Sequence, residues 1–383
     1  MITRSKLYTR ELSIKLLKLY LSKKRLFPSR GRLLILRLDS IGDYVLFRNF
    51  LKPIRESDRF KDFRITLCGN ELWKDLALTY DHSYVDEFIW IDKSKFLKRS
   101  HWTYTYKKLL EIHSKGFEYL INPADVKNKM LEIIHCYSGT DKILVNVTED
   151  QGGINERIKS LSNSNNVGLI HDEKPVLKNH FQFFTNRKFT ESLIKAKTNV
   201  ERLTFDIDIT GGRSDYIVLF LGAGYHKRMW NPKKFAELCR LIRKKCDLRI
   251  ILCGSNFDTK NAAIIMKTSG IDRIEDYTGR TTLPQLVNLI ANSRLLISNE
   301  TCSVHIAASV GTKAVCISNG NHFGKFNPYP EELAENIITI YPAEVTSRME
   351  KYEELIREYE ISSDLDIDQI SAEEIFFASM KLL

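Results

Sequence analysis

The chain has 383 residues, 43% hydrophobic and 28% charged, enough for two domains with cores of their own and too apolar for a disordered protein. Its formal net charge of +10 is uneven: residues 1–31 hold nine Lys/Arg against one Glu, so eight of the ten positive charges sit on an arm and the body is near neutral. That excludes a broad phosphate-tracking surface, and nucleic acid is not expected as a partner. Within the arm, Arg4, Glu11, Lys15, Lys18 and Ser22 share one helical face, while Leu12, Leu16, Leu17, Leu19, Tyr20 and Leu21 spread over the others. Two readings stand: a helix of residues 1–30 lying in an anionic membrane surface, or one packed on the body. Lysines interrupt every candidate signal-peptide core, and no run of about 18 apolar residues follows. A cytoplasmic protein is expected, peripheral on the inner face of the membrane if the arm binds lipid.

From residue 32 short apolar runs alternate with helical stretches, the pattern of an α/β fold with parallel sheets. Strands are expected at Leu33–Leu36, Ile65–Cys68, Phe88–Ile91, Tyr119–Ile121 and Ile143–Val145, with an irregular polar stretch from about 150 to 178. Phe205–Ile209 alternates as a half-buried strand, and Gly211-Gly212-Arg213-Ser214 reads as a breaker between domains. The rhythm then restarts with strands at Ile217–Leu221, Arg249–Cys253, Leu295–Ser298 and Ala314–Ile317. This predicts a basic helical arm (1–31), two Rossmann-like domains (32–210 and 211–345) with a cleft between them, and a helical tail (346–383) packing back on the first domain. The seven cysteines are scattered and never in a C-x-x-C pair, so neither a disulfide framework nor a zinc site is indicated.

Four loops stand out. Arg37-Leu38-Asp39-Ser40-Ile41-Gly42-Asp43 follows the first strand, where open α/β sheets bind ligands. Gly42 permits close approach, and Asp43 is either the N-cap of the next helix or a carboxylate facing the cleft. Leu221-Gly222-Ala223-Gly224-Tyr225-His226-Lys227-Arg228-Met229-Trp230 combines small residues with Lys227 and Arg228, either a diphosphate contact or a solvated basic loop. Asn231-Pro232 opens a helix as cap and first-turn proline. Thr278-Gly279-Arg280-Thr281-Thr282 makes a tight turn, and Thr282 with Gln285 a capping box. Finally Asn299-Glu300-Thr301-Cys302-Ser303 leads into a helix whose N-terminus suits an anion, with Glu300 able to accept hydrogen bonds from ribose or sugar hydroxyls. His305, one turn in, is either a ligand contact or a satisfied buried histidine. Asp206-x-Asp208 and Asp364-x-Asp366-x-Asp368 read as surface carboxylates, the second far from these loops.

In order and spacing, Ile35–Asp43, Gly222-Ala223-Gly224 with Lys227-Arg228 and Trp230, Tyr277–Leu283, and Asn299-Glu300-Thr301 with His305-Ile306-Ala307-Ala308 resemble glycosyltransferase family 9, the lipopolysaccharide heptosyltransferases. The resemblance covers roughly residues 32–330. It implies a GT-B fold of two Rossmann-like domains facing each other across a cleft, the acceptor mainly on the first domain and a nucleotide sugar mainly on the second. It implies inversion at the anomeric carbon with no cofactor and no metal. Asp43 matches the family's acidic residue proposed as general base, and Ser40 and Gly42 its acceptor-side loop. Lys227, Arg228, Thr301, Cys302, Ser303 and His305 would hold the donor diphosphate; Gly222, Ala223, Gly224, Thr281 and Glu300 would hold its nucleotide or sugar. The donor implied is ADP-heptose and the acceptor a lipid-linked glycan. Glu300-Thr301-Cys302 departs from the family's usual Asp-Thr/Ser-Gly, which leaves open another nucleotide sugar, or a non-catalytic sugar-nucleotide-binding or scaffold protein.

Overall fold

The computed structural model describes residues 30–124, 129–140, 142–147, 167–171, 180–207 and 212–383. The arm through residue 29, Asp208 and Gly211 lie outside the described residues, as does most of the polar stretch from 150 to 178. The chain divides into two compact units. Of the described residues, one groups those up to 40 and those within 50–175 and 186–198; the other groups those within 41–49, 176–185 and 199–383.

The first unit holds six parallel strands: β1 Arg32–Arg37, β2 Arg64–Asn70, β3 Glu87–Ile91, β4 Tyr119–Asn122, β5 Lys142–Val147 and β6 Val167–His171. They lie in the order β3-β2-β1-β4-β5-β6, the doubly wound arrangement. Its centre, RLLILR, is apolar without alternation because helices cover both faces of a parallel sheet. Leu34, Leu36, Ile89, Ile112, Leu120 and Ile134 share its core.

The second unit repeats the plan with β7 Tyr216–Phe220, β8 Arg249–Cys253, β9 Ile274–Asp276, β10 Leu295–Asn299, β11 Ala314–Ile317 and β12 Ile337–Ile340, in the order β12-β11-β10-β7-β8-β9. Its strand order therefore reverses between β7 and β10, which puts the loops after those two strands at the switch point. Helix Pro232–Arg243 buries Phe235, Ala236, Leu238, Cys239 and Ile242 on this sheet. It starts where expected, with Asn231 accepting from Lys233 N at 3.0 Å.

Two expectations are corrected. Residues 205–207 form no strand: the Phe205 ring lies under the Arg48 guanidinium at 4.3 Å, and its amide donates to Ser309 O. Their alternation reflects one buried ring beside exposed neighbours rather than a sheet. The tail belongs to the second unit: helix Ala372–Leu382, opened by a Ser371/Glu374 capping box, inserts Ile375 and Ala378 into that unit's core against helix Pro232–Arg243. Burial of the Ile375 side chain alone is worth roughly 1.5–3 kcal/mol, which fixes the tail there. A satellite core of Phe323, Tyr341, Val345, Leu355, Ile356 and Tyr359 clamps the stretch after β11 to helix Tyr352–Tyr359. Among the described residues no helix is long and apolar enough to cross a membrane.

Candidate functional site

At the switch point of the second sheet, Asn299 ties the two loops together. Its Oδ1 accepts from Trp230 N at 3.0 Å and its Nδ2 donates to Leu221 O at 2.7 Å, all three groups buried. Trp230 is further fixed by donating its indole N–H to Ile370 O at 3.0 Å. The loop between Leu221 and Trp230 is thus pinned at both ends, with a single 3-10 turn at His226–Arg228 and partly exposed Arg228 near its end. A Cβ at Gly222 would come within 2.8 Å of Asp258 Oδ2, and one at Gly224 within 3.1 Å of an Arg228 guanidinium nitrogen. Ala223, between them, is partly exposed. Exposed Lys227 pairs with Asp364 at 2.5 Å. Asp368 accepts from Asn231 N at 2.9 Å, and Asp366 from Asp368 N at 3.0 Å. The tail's acidic run therefore lies against the basic loop, which corrects the expectation that it lies far away.

Glu300 follows directly. It is 3% exposed; Ser318 donates its hydroxyl to Oε2, while Oε1 is buried without a hydrogen-bond partner. Burial pushes its carboxyl up to about 7, against the lowering effects of the Ser318 hydrogen bond and the Arg228 charge. A buried acceptor left open is destabilising by about 1–3 kcal/mol unless a ligand hydroxyl or water completes it. Helix Cys302–Ser309 then begins after Thr301, whose side chain makes no capping bond, so its first amides keep the positive end of the helix available. Burial raises the Cys302 thiol to about 11, so it is protonated at neutral pH.

The same helix turns two expected diphosphate ligands inward. Ser303 is buried with its hydroxyl on that of Ser298 at 2.6 Å. His305 is buried with Nδ1 on the Tyr329 hydroxyl at 2.5 Å, and burial lowers its pKa to about 3, so the ring is neutral. Of the two readings open for His305, the structure gives the satisfied buried one. Ser303 turns to the sheet at Ser298, and His305, two positions on and so on another face, turns to Tyr329 and Gly42.

His305 supports the Asp43 loop instead. Helix Ile41–Val45 packs on helix Cys302–Ser309, and a Cβ at Gly42 would stand 2.9 Å from His305 Cδ2 and 3.6 Å from Cys302 Cα. Any larger residue at 42 would separate the two helices. Asp43 is the third residue of its helix, so it is a first-turn carboxylate rather than the N-cap. Exposed Ser40 precedes that helix. The loop's start is held from β1: Arg37 pairs with Asp39 at 3.0 Å, and Asp39 O accepts from Asn70 Nδ2 and the Trp73 indole.

Asp43, Arg228 and Lys325 all act electrostatically on His322, in the loop Asn319-Gly320-Asn321-His322-Phe323-Gly324 that the sequence leaves open between one closing over the donor and a glycine-containing surface turn. Arg228 also acts on Glu300, so these groups form one neighbourhood. Thr281 lies apart, after β9 and two strands beyond β7. Its turn is nonetheless firm: Gly279 has φ +69°, Gly279 N donates to Gly254 O at 2.9 Å, and the Thr282/Gln285 capping box is formed.

Residues 172–356 match the model of glycosyltransferase family 9 (heptosyltransferase). The chain is 23% identical over 186 residues to lipopolysaccharide heptosyltransferase 3 of Escherichia coli (strain K12), a match spanning 48% of this chain and about half (51%) of that protein. Two solved structures share the fold: the family 9 glycosyl transferase of Veillonella parvula (17% identity, TM-score 0.65, 94% of this chain and 98% of that one) and the E. coli heptosyltransferase WaaC with ADP (12%, 0.65, 92% and 100%). The two doubly wound parallel sheets match the two Rossmann-like domains of the GT-B fold. Over residues 172–356 the chain is thus similar in sequence to glycosyltransferase family 9, and it shares its fold with the family 9 and heptosyltransferase structures.

Proposed function

We propose that the chain is an inverting, metal-independent glycosyltransferase that moves a sugar from a nucleotide donor onto a lipopolysaccharide core or related glycan acceptor. The observation that carries the reading is Glu300, a buried carboxylate with one oxygen unsatisfied, set beside Arg228 and the uncapped start of helix Cys302–Ser309. A diphosphate suits the cation and the helix amides, and a hydroxyl of ribose or of the transferred sugar suits Glu300 Oε1. Gly222, Ala223 and Gly224 let the donor approach backbone, Thr281 lies on the nucleotide side, and Thr301 and Cys302 offer the amides. ADP-heptose leads among donors because the similar WaaC structure holds ADP. The Glu300-Thr301-Cys302 sequence keeps a different nucleotide sugar as the second reading.

In the reaction, an acceptor hydroxyl oxygen forms the new bond to the anomeric carbon from the side opposite the leaving group. The carbon–oxygen bond to the diphosphate breaks, and the nucleoside diphosphate leaves with the electron pair. Asp43 takes the hydroxyl proton, a role worth about 10²–10⁴ in rate, and Arg228 offsets the charge growing on the diphosphate. No cofactor enters. The acidic run that resembles a metal-ligand set has protein partners instead: Lys227 for Asp364 and backbone amides for Asp366 and Asp368. The domain spanning 32–210 would serve the acceptor and that spanning 211–345 the donor, with residues 1–30 drawing the enzyme to an anionic membrane.

Calorimetry with ADP, UDP, GDP and CMP forms tests this on wild type, Arg228→Ala and Glu300→Ala. Selective binding of an ADP form, weakened about tenfold or more by each change, is the expected result. Preference for another nucleotide discards heptose and keeps the transferase; no binding by wild type overturns the reading.

A further inference from the structure

His322 sits in the stretch that follows β11, between Gly320 (φ +85°) and Gly324 (φ +79°), and itself has φ +55°. A non-glycine residue in that region is held there by its surroundings, and such positions cluster at functional sites. The surroundings here are rigid. Ser363 donates its hydroxyl to Asn319 O at 2.6 Å and its amide to Asn321 Oδ1 at 3.2 Å, and a Cβ at Gly324 would meet Ile356 at 2.7 Å. The loop is therefore anchored by the tail rather than free to close.

The protonation pattern of the ring follows from one contact. Its Nδ1 lies 2.9 Å from Glu360 O, and a carbonyl oxygen only accepts, so Nδ1 carries the proton. In the neutral ring Nε2 is then a bare acceptor, and among the described residues it has no hydrogen-bond partner. Burial keeps the ring neutral, helped by the positive charges of Lys325 and Arg228 and opposed by the Glu360 hydrogen bond and Asp43. The Glu360 carboxylate is itself engaged by His180 at 2.7 Å, which fixes the residue that fixes His322. The ring also meets Phe326 edge-on at 5.5 Å, and Phe326 lies 5.9 Å from His305, the ring under Gly42.

Strand order supplies the direction. Arg228 follows β7, Glu300 follows β10 and His322 follows β11, three neighbouring strands about 4.8 Å apart. A nucleotide sugar whose diphosphate lies between Arg228 and helix Cys302–Ser309 would extend its sugar past Glu300 toward β11. We propose that His322 is a further substrate-contacting residue, whose Nε2 accepts a hydrogen bond from a hydroxyl of the transferred sugar and so helps select that sugar. The inference rests on the donor site proposed above.

The test compares wild type, His322→Phe and His322→Gln as full chains, by calorimetry with ADP against ADP-heptose and with UDP against UDP-glucose. Phe removes the acceptor while Gln retains one at similar reach; both lose the same imidazole and both carry a Cβ at the positive φ. The expected result is unchanged affinity for the free nucleotide in both variants, a five- to tenfold loss for the sugar nucleotide in His322→Phe, on the order of one hydrogen bond, and most of it restored in His322→Gln. Equal sugar-nucleotide affinity in all three chains overturns the inference and leaves the donor site standing. So does a loss shared equally with the free nucleotide, or one that Gln does not restore. Failure of wild type to bind any of the four probes brings down the site itself and the inference with it.

Discussion

Replacing Glu300 by Gln keeps the side chain's size and an oxygen for the Ser318 hydroxyl but removes its charge. The native carboxyl titrates at about 7 because it is buried, against an ordinary 4.5 for glutamate. Between those values the native chain retains a proton that the unfolded chain has released. Stability from this group is thus fully present below 4.5 and is lost as pH rises through about 7. At ~1.4 kcal/mol per pH unit, the interval amounts to about 3 kcal/mol. Glu300→Gln lacks the titration, so the wild type should lose stability relative to the variant by about that much between pH 4.5 and 8. All other groups cancel in the difference. Thermal melts at a series of pH values read it directly: for a unit of this size, a gap changing by on the order of 5–10 °C is expected. A gap that stays constant with pH, or one that moves in favour of the wild type at alkaline pH, would refute the reasoning.

Asn299→Ala strands the buried Trp230 amide and Leu221 carbonyl together, so a loss of about 2–6 kcal/mol is expected from two unsatisfied groups, measurable by urea unfolding. Lys227→Ala, at an exposed residue paired with Asp364, should change donor affinity less than about twofold by calorimetry, because exposed ion pairs contribute little. A tenfold loss in Lys227→Ala would mean that the diphosphate displaces Asp364. Removing residues 1–30, which carry most of the net charge, should reduce sedimentation with anionic vesicles while leaving sugar-nucleotide affinity intact; unchanged sedimentation removes the membrane role.

Central strands were legible because a parallel sheet buried on both faces demands unbroken apolar runs, as in RLLILR and YIVLF. Strand β9 is short and half polar, and β6 falls in a polar stretch, so neither carries that signal; β12, an IITI run, does carry it. The turn at Gly279 and the caps at Asn231 and Thr282 were legible because their chemistry is local. The site was legible only in part. Spacing identifies Glu300 and Arg228 as loop residues at strand ends, but not that Glu300 Oε1 is left open, which depends on Ser318 from another strand's end. Sequence also cannot tell which face of helix Cys302–Ser309 holds His305, and hence that Tyr329 satisfies it. His322 is fixed by Glu360, 38 positions away, and its positive φ has no sequence signature.

The central claim is that Asp43 accepts a proton during sugar transfer at a site whose donor is held by Arg228 and Glu300. Its most direct test is the rate of nucleotide release from the preferred sugar nucleotide in Asp43→Asn, with donor affinity measured alongside. The account predicts a loss of about 10²–10⁴ in rate with donor affinity essentially unchanged. An Asp43→Asn chain that turns over at the wild-type rate would contradict it.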